Sequence, residues 1–86
     1  RRDRMDMFIT IFDVETNEIT YINKNVINLI GIDMEHRIAE IVVGGVRPHL
    51  TTLEFSNGKG LNNFMKAIEG KVCGVSECTI KTKAID

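Results

Sequence analysis

The side chains that could do chemistry in this sequence are few and dispersed. His36 and His49 are its two histidines, Cys73 and Cys78 its two cysteines. A zinc or iron centre needs three or four such ligands at short, regular spacings. Neither histidine has a cysteine or carboxylate at metal spacing beside it, so both are assigned to the surface and no metal site is expected. Cys73 and Cys78 fall five apart in what reads as one strand, where they point to opposite faces. That argues against a disulfide between them or a shared metal. Ser56 and Ser76 carry no nucleophile motif. The glycine-rich pieces VVGGVRP and NGKG suggest a phosphate cradle, but the Lys-Ser or Lys-Thr ending of a P-loop is missing, so Lys59 and Lys66 read as solvent charges. Glu15 and Glu18 flank a turn with nothing to make one an acid and the other a base. These residues offer no recognisable catalytic arrangement.

The chain as a whole limits what could position any site. Its 86 residues make one domain, 1–86, and a domain of this size buries only about 60 to 65% of its unfolded surface, so stability is thin. With 43% apolar and 27% charged residues it should nonetheless fold. A net charge of −1 argues against the basic surface that nucleic-acid binding requires. Arg1, Arg2 and Arg4 alternate with Asp3 and Asp6 and read as a solvated face. No apolar run is long enough to insert in a membrane, and no signal-peptide core is present, so the expected location is cytoplasmic.

Along the chain, MFITIF reads as a strand ending at Asp13, with a turn in which Asn17 is the best candidate for positive φ. A second strand, Ile19 to Asn23, follows so closely that an antiparallel hairpin is expected. Val26, Ile27, Leu29 and Ile30 then suit a short helix capped by Asn23 and stopped by Gly31. A second helix is expected from an Asp33 cap through Met34, Ile38, Ile41 and Val42 to Gly44 and Gly45. Segment 46–60, with Pro48, Gly58 and Gly60, reads as irregular with a helical turn near Leu53. Leu61, Phe64, Met65 and Ile68 form the clearest amphipathic helix, stopped by Gly70. The closing run alternates from Val75, with Ser76, Cys78 and Ile80 on one face of a third strand and Glu77, Thr79 and Lys81 on the other.

The stretch FDVETNEITYINKNVINLIGIDMEHRI resembles the first half of a PAS domain. Asp13, Ile19, Tyr21, Asn23, Leu29, Gly31, Asp33 and Glu35 fall on that pattern, and FMKAIEGKVCGVSECTI looks like the long PAS helix, its terminal glycine and the next strand with Glu77. Together these stretches span about half the chain. Segment 46–60 matches nothing in the family, and the sequence stops where the family would add two more strands.

The resemblance implies an α+β fold, a PAS-like antiparallel sheet with helices packed on one face, in the order β-β-α-α-(α)-α-β and truncated after the third strand. Residues 1–6 would be the end of an N-terminal connecting helix. The implied function is a sensory, signal-transduction module regulating an attached output domain, such as a histidine kinase of a two-component system or a transcription regulator. Ile9, Ile11, Tyr21, Ile30, Phe64, Met65, Ile68, Cys78 and Ile80 would line a small-molecule pocket between sheet and helices, or be bare core. The cofactor is unknown: the long helix lacks the histidine that haem-binding members supply, and no Asn-Cys-Arg signature marks a flavin photosensor. An unpaired sheet edge would favour a homodimer or strand exchange. The competing expectations are a purely structural protein-interaction domain without a cavity, and a small enzyme subunit using Arg47 or His49.

Overall fold

The computed structural model describes residues 7–70 and 74–85. Among them are six strands, a single 3-10 turn and one α-helix. The strands are β1 (Phe8–Asp13), β2 (Glu18–Asn23), β3 (Ile27–Asp33), β4 (Ile38–Val43), β5 (His49–Glu54) and β6 (Val75–Ala84). Helix α1 (Gly58–Ile68) lies between β5 and β6, and the 3-10 turn (Lys24–Val26) joins β2 to β3. The sheet order is β2-β1-β6-β5-β4-β3, with every pair antiparallel except β1 and β6.

This corrects the α+β expectation of several helices on an antiparallel sheet cut short at three strands. The chain is a mixed six-stranded sheet with one helix. Both short helices expected before residue 45 are strands. INLIGID and IAEIVV are rich in β-branched residues, which fit a pleated surface better than a helix. Ala39 and Ile41 are buried and Glu40 is exposed, so the period in β4 is two. Short apolar runs fit both templates, and here the partner strand decides. Segment 46–60, expected to be irregular, contains β5, which pairs with β4 on one side and β6 on the other. Gly31 ends no helix; it sits in β3 opposite Glu40.

Several local expectations are met. Asn17 has φ 64, and it turns β1 into β2 while Asp13 Oδ1 accepts from the Glu15 and Thr16 amides at 2.9 and 3.4 Å. Asn23 is a cap, although of a 3-10 turn: its Oδ1 accepts from Asn25 N at 2.9 Å. Asp33 also accepts from an amide three residues on, His36 N at 3.1 Å, as a helix cap would. Left-handed Arg37, φ 57, reverses the chain instead, and a hairpin follows. That amide bond and the His36 ring, 2.9 Å away, hold the Asp33 carboxyl below its ordinary range. Helix α1 carries the expected stripe from Leu61 to Ile68 but starts earlier, at Gly58, in what read as loop, because Asn57 caps it by accepting from Gly60 N at 2.8 Å. Gly70 takes the left-handed φ of 77 that follows a helix end. The connecting helix expected at residues 1–6, and Cys73, lie outside the described residues.

Buried Ile9, Ile11, Leu53, Ala39, Ile41 and Cys78 share one face of the sheet, and Leu61 and Phe64 of α1 pack into it. Phe55, just after β5, meets Phe64 with ring centres 5.6 Å apart. Among the described residues no helix is long and apolar enough to cross a membrane.

The two glycines separate the strand from the helix reading. A Cβ on Gly31 would meet only the Glu40 carbonyl oxygen at 4.0 Å, and Gly31 has no positive φ, whereas Gly70 has. In urea unfolding, Gly31→Ala should leave stability unchanged or raise it by up to about 1 kcal/mol. Gly70→Ala should lower it by about 1 kcal/mol, since an L side chain is strained there. Loss of the Asn23 cap in Asn23→Ala should also cost about 1 kcal/mol.

Candidate functional site

The connection between β2 and β3 determines where a site can form. These strands are the two outer edges of the sheet, yet only Lys24, Asn25 and Val26 separate them. Four Cα steps at 3-10 pitch span roughly 8 Å, whereas the edges of a flat six-stranded sheet lie about 24 Å apart. The sheet must curl at this end. The curl is pinned by the Asn23 cap, by Gly44 N donating to the Val26 carbonyl at 2.6 Å, and by Lys24 Nζ donating to the Ala67 carbonyl at 3.2 Å. The lysine thus ties the turn to the C-terminal end of α1, where a cation is favoured.

Helix α1 covers only part of the inner face. Beyond it lies an open cleft of about 390 Å³, walled by β2 residues Thr20 to Asn23 on one side and by His49, Thr51, Ile80 and Thr82 of β5 and β6 on the other. Val26 and Val43 close its end. The register explains this grouping. Thr51 pairs with Ile41 and with Thr82, and Leu53 with Ile80, so all of these side chains share the inner face. Thr51 is 6% exposed. No hydrogen bond among the described residues engages its hydroxyl, and no buried polar atom is both sealed from solvent and unpartnered. Both conditions hold only if that oxygen opens onto the cleft. Among the described residues no Asp, Glu, Lys or Arg lines it, and Tyr21 and His49, which do, are both exposed.

A second cleft, of about 400 Å³, lies between β3 and the end of α1, lined by Lys24, Ile27, Asn28, Leu29, Ile30 and Ile68. The residues expected to line one pocket are therefore divided. Ile9, Ile11, Phe64 and Cys78 are solid core, with Met65 packed against it. Ile30 and Ile68 line the second cleft and Ile80 the first. Tyr21 departs most from expectation: it pairs with Thr10, on the opposite side of β2 from Ile22, and is 65% exposed. It joins the cleft as part of the β2 wall rather than facing Ile80 across a pocket. Sequence reasoning missed Thr20, Thr51 and Thr82. In the closing run, Thr82 continues the Ser76, Cys78, Ile80 alternation and could have been found by extending it two residues.

Candidate nucleophiles and ligands do not converge. Among the described residues no three His, Cys, Asp or Glu side chains gather as a metal site would require. Cys78 lies opposite Asp13 in the parallel β1–β6 pair. Burial, helped by the nearby Asp13 carboxylate, pushes its thiol up to about 12 from 9.0. No family model matches the chain, and no curated protein or solved structure matches it.

The Cys78 environment gives a pH dependence of defined sign. The folded state keeps a proton that the unfolded chain releases, so stability is present below pH 9.0 and falls as pH rises from there toward about 12. Between pH 8 and 10.5, a Cys73→Ser protein should lose stability faster than the same protein carrying Cys78→Ala. Its remaining thiol should react with iodoacetamide at pH 8 at least about 100-fold more slowly folded than in urea, because the thiolate is the reactive species.

Proposed function

We propose that this domain is a non-enzymatic, ligand-binding sensory module, as the PAS resemblance implies, and that the inner-face cleft is its ligand site. The observation that supports this is the incomplete cover of α1. A single helix occupies the inner face around Phe64 and Leu61 and leaves a cleft of about 390 Å³ with an apolar floor and a few hydroxyls, the usual make-up of a small-molecule site. Ligand would touch both walls and so bias the position of β2 against β5 and β6. That is a two-state device through which an attached output domain, such as a histidine kinase or transcription regulator, can be regulated.

In this reading the module acts with a second copy of itself. Among the described residues both outer strands have a ladder partner on one side only, and neither β2 nor β3 has the lysines or prolines that usually guard an edge. Leu29 on β3 and Ile19 on β2 are both more than half exposed. The same edges favour the alternative of a purely structural interaction domain, in which the cleft stays empty.

Indane, a compact hydrocarbon, distinguishes the two. Its addition should shift the amide resonances of Ile22, Thr51, Ile80 and Thr82, and raise the melting temperature. At a hundredfold excess over Kd the stabilisation amounts to about 2.7 kcal/mol. Both effects should vanish in Ile80→Trp, whose ring fills the cleft. An unchanged spectrum in the parent protein would leave the interaction domain as the better reading.

A further inference from the structure

Resting on the cleft as ligand site, we infer the chemical class of its occupant: a neutral, mainly apolar molecule carrying one carbonyl group, whose oxygen accepts from the Thr51 and Thr82 hydroxyls. Three observations lead there. The floor and end of the cleft are Ile22, Val26, Val43 and Ile80, which favour a hydrocarbon body. Among the described residues no Asp, Glu, Lys or Arg lines the space, so an ammonium, carboxylate or phosphate group would give up water without gaining a counter-charge from them. Thr51 is 94% buried, the complement of its 6% exposure, and its hydroxyl is engaged by no hydrogen bond among the described residues. Its oxygen opens onto the cleft, so an acceptor on a ligand there would take the place of water as its partner.

The placement of Thr51 specifies the partner. Thr82 stands directly across from it in the β5–β6 register. Cβ atoms of such a pair lie about 5 Å apart, so both hydroxyls can donate to a single acceptor. A carbonyl oxygen, with two lone pairs and no proton, matches two donors, and an ether or hydrocarbon matches them less well. His49, exposed at the side of the cleft, faces solvent and sets no charge requirement for a ligand seated on the threonines.

Four probes of similar shape test this with the whole chain: 4-phenyl-2-butanone, butylbenzene, 4-phenylbutylamine and 3-phenylpropanoate, each titrated by amide chemical shifts. The ketone should bind at least fivefold more tightly than butylbenzene, and the two ions more weakly than either. Thr51→Val keeps the side-chain shape and removes only the hydroxyl, so it should weaken the ketone at least fivefold while leaving butylbenzene within twofold. Equal affinity for ketone and hydrocarbon, preferential binding of an ion, or an unchanged ketone affinity in Thr51→Val would overturn the carbonyl assignment while leaving the cleft a ligand site. Failure of both butylbenzene and the ketone to shift any cleft resonance would overturn the site itself. Ile80→Trp, with its amide spectrum otherwise preserved, should abolish binding of both.

Discussion

Three residues hold the two edges of this sheet together. In most open sheets the outer strands are free of each other, and twist alone sets their separation. Here β2 passes into β3 through Lys24, Asn25 and Val26, so the edges must meet at one end whatever the strands between them would prefer. The Asn23 side chain caps that turn, the Val26 carbonyl is bonded to the end of β4, and Lys24 reaches the C-terminus of α1. Each bond is worth about 1 kcal/mol on its own. Their effect is larger than that sum suggests, because the inner face exists as a hollow only while the sheet is curled.

The inner face carries bulky apolar side chains and hydroxyls side by side. Ile11, Leu53, Ala39 and Ile41 are all fully buried, and Leu61 and Phe64 of α1 pack on this face. Thr20 stands opposite Ile11, and Thr51 stands between Ile41 and Thr82 in the register. A helix laid over the threonines would bury hydroxyls without partners and lose much of what it gained from the isoleucines. The helix is also short: its apolar stripe ends at Ile68, and Gly70 turns the chain away. Incomplete cover is therefore written in both the strand composition and the helix length.

Much of this was legible in the sequence where a signal is local. The first hairpin, the αL turn at Asn17, the cap at Asn23, the body of helix α1 and the alternation of β6 all follow from side-chain types within a few residues, whereas the Asn57 cap was hidden in what read as loop. The failures share one cause. INLIGID, IAEIVV and HLTTLE are apolar or β-branched runs of six or seven residues, which pattern alone cannot divide between strand and helix. Their state is decided by pairing, and pairing is non-local: β5 lies between β4 and a strand more than twenty residues further on. Asp33 shows the ambiguity within one residue. It caps as a helix start would, and only the left-handed Arg37 converts the turn to a hairpin. The cleft was illegible for the same reason, since its walls come from β2 and from β5 and β6, which share no ladder.

A ligand in the proposed site would couple binding to folding. The cleft's β2 wall reaches β6 through β1, and reaches β5 from the turn by way of β3 and β4, so a molecule seated between the walls would brace the curl from inside. A domain of this length has little stability to spare, and a brace that exists only in the folded state raises it by mass action. The same brace fixes the position of β2, one of the two unpaired edges. A ligand that holds β2 against β5 and β6 would therefore alter how that edge presents its amides and carbonyls to a neighbouring chain. Occupancy of a cleft without charged chemistry could in this way be read at a surface, with the three-residue turn as the hinge between them.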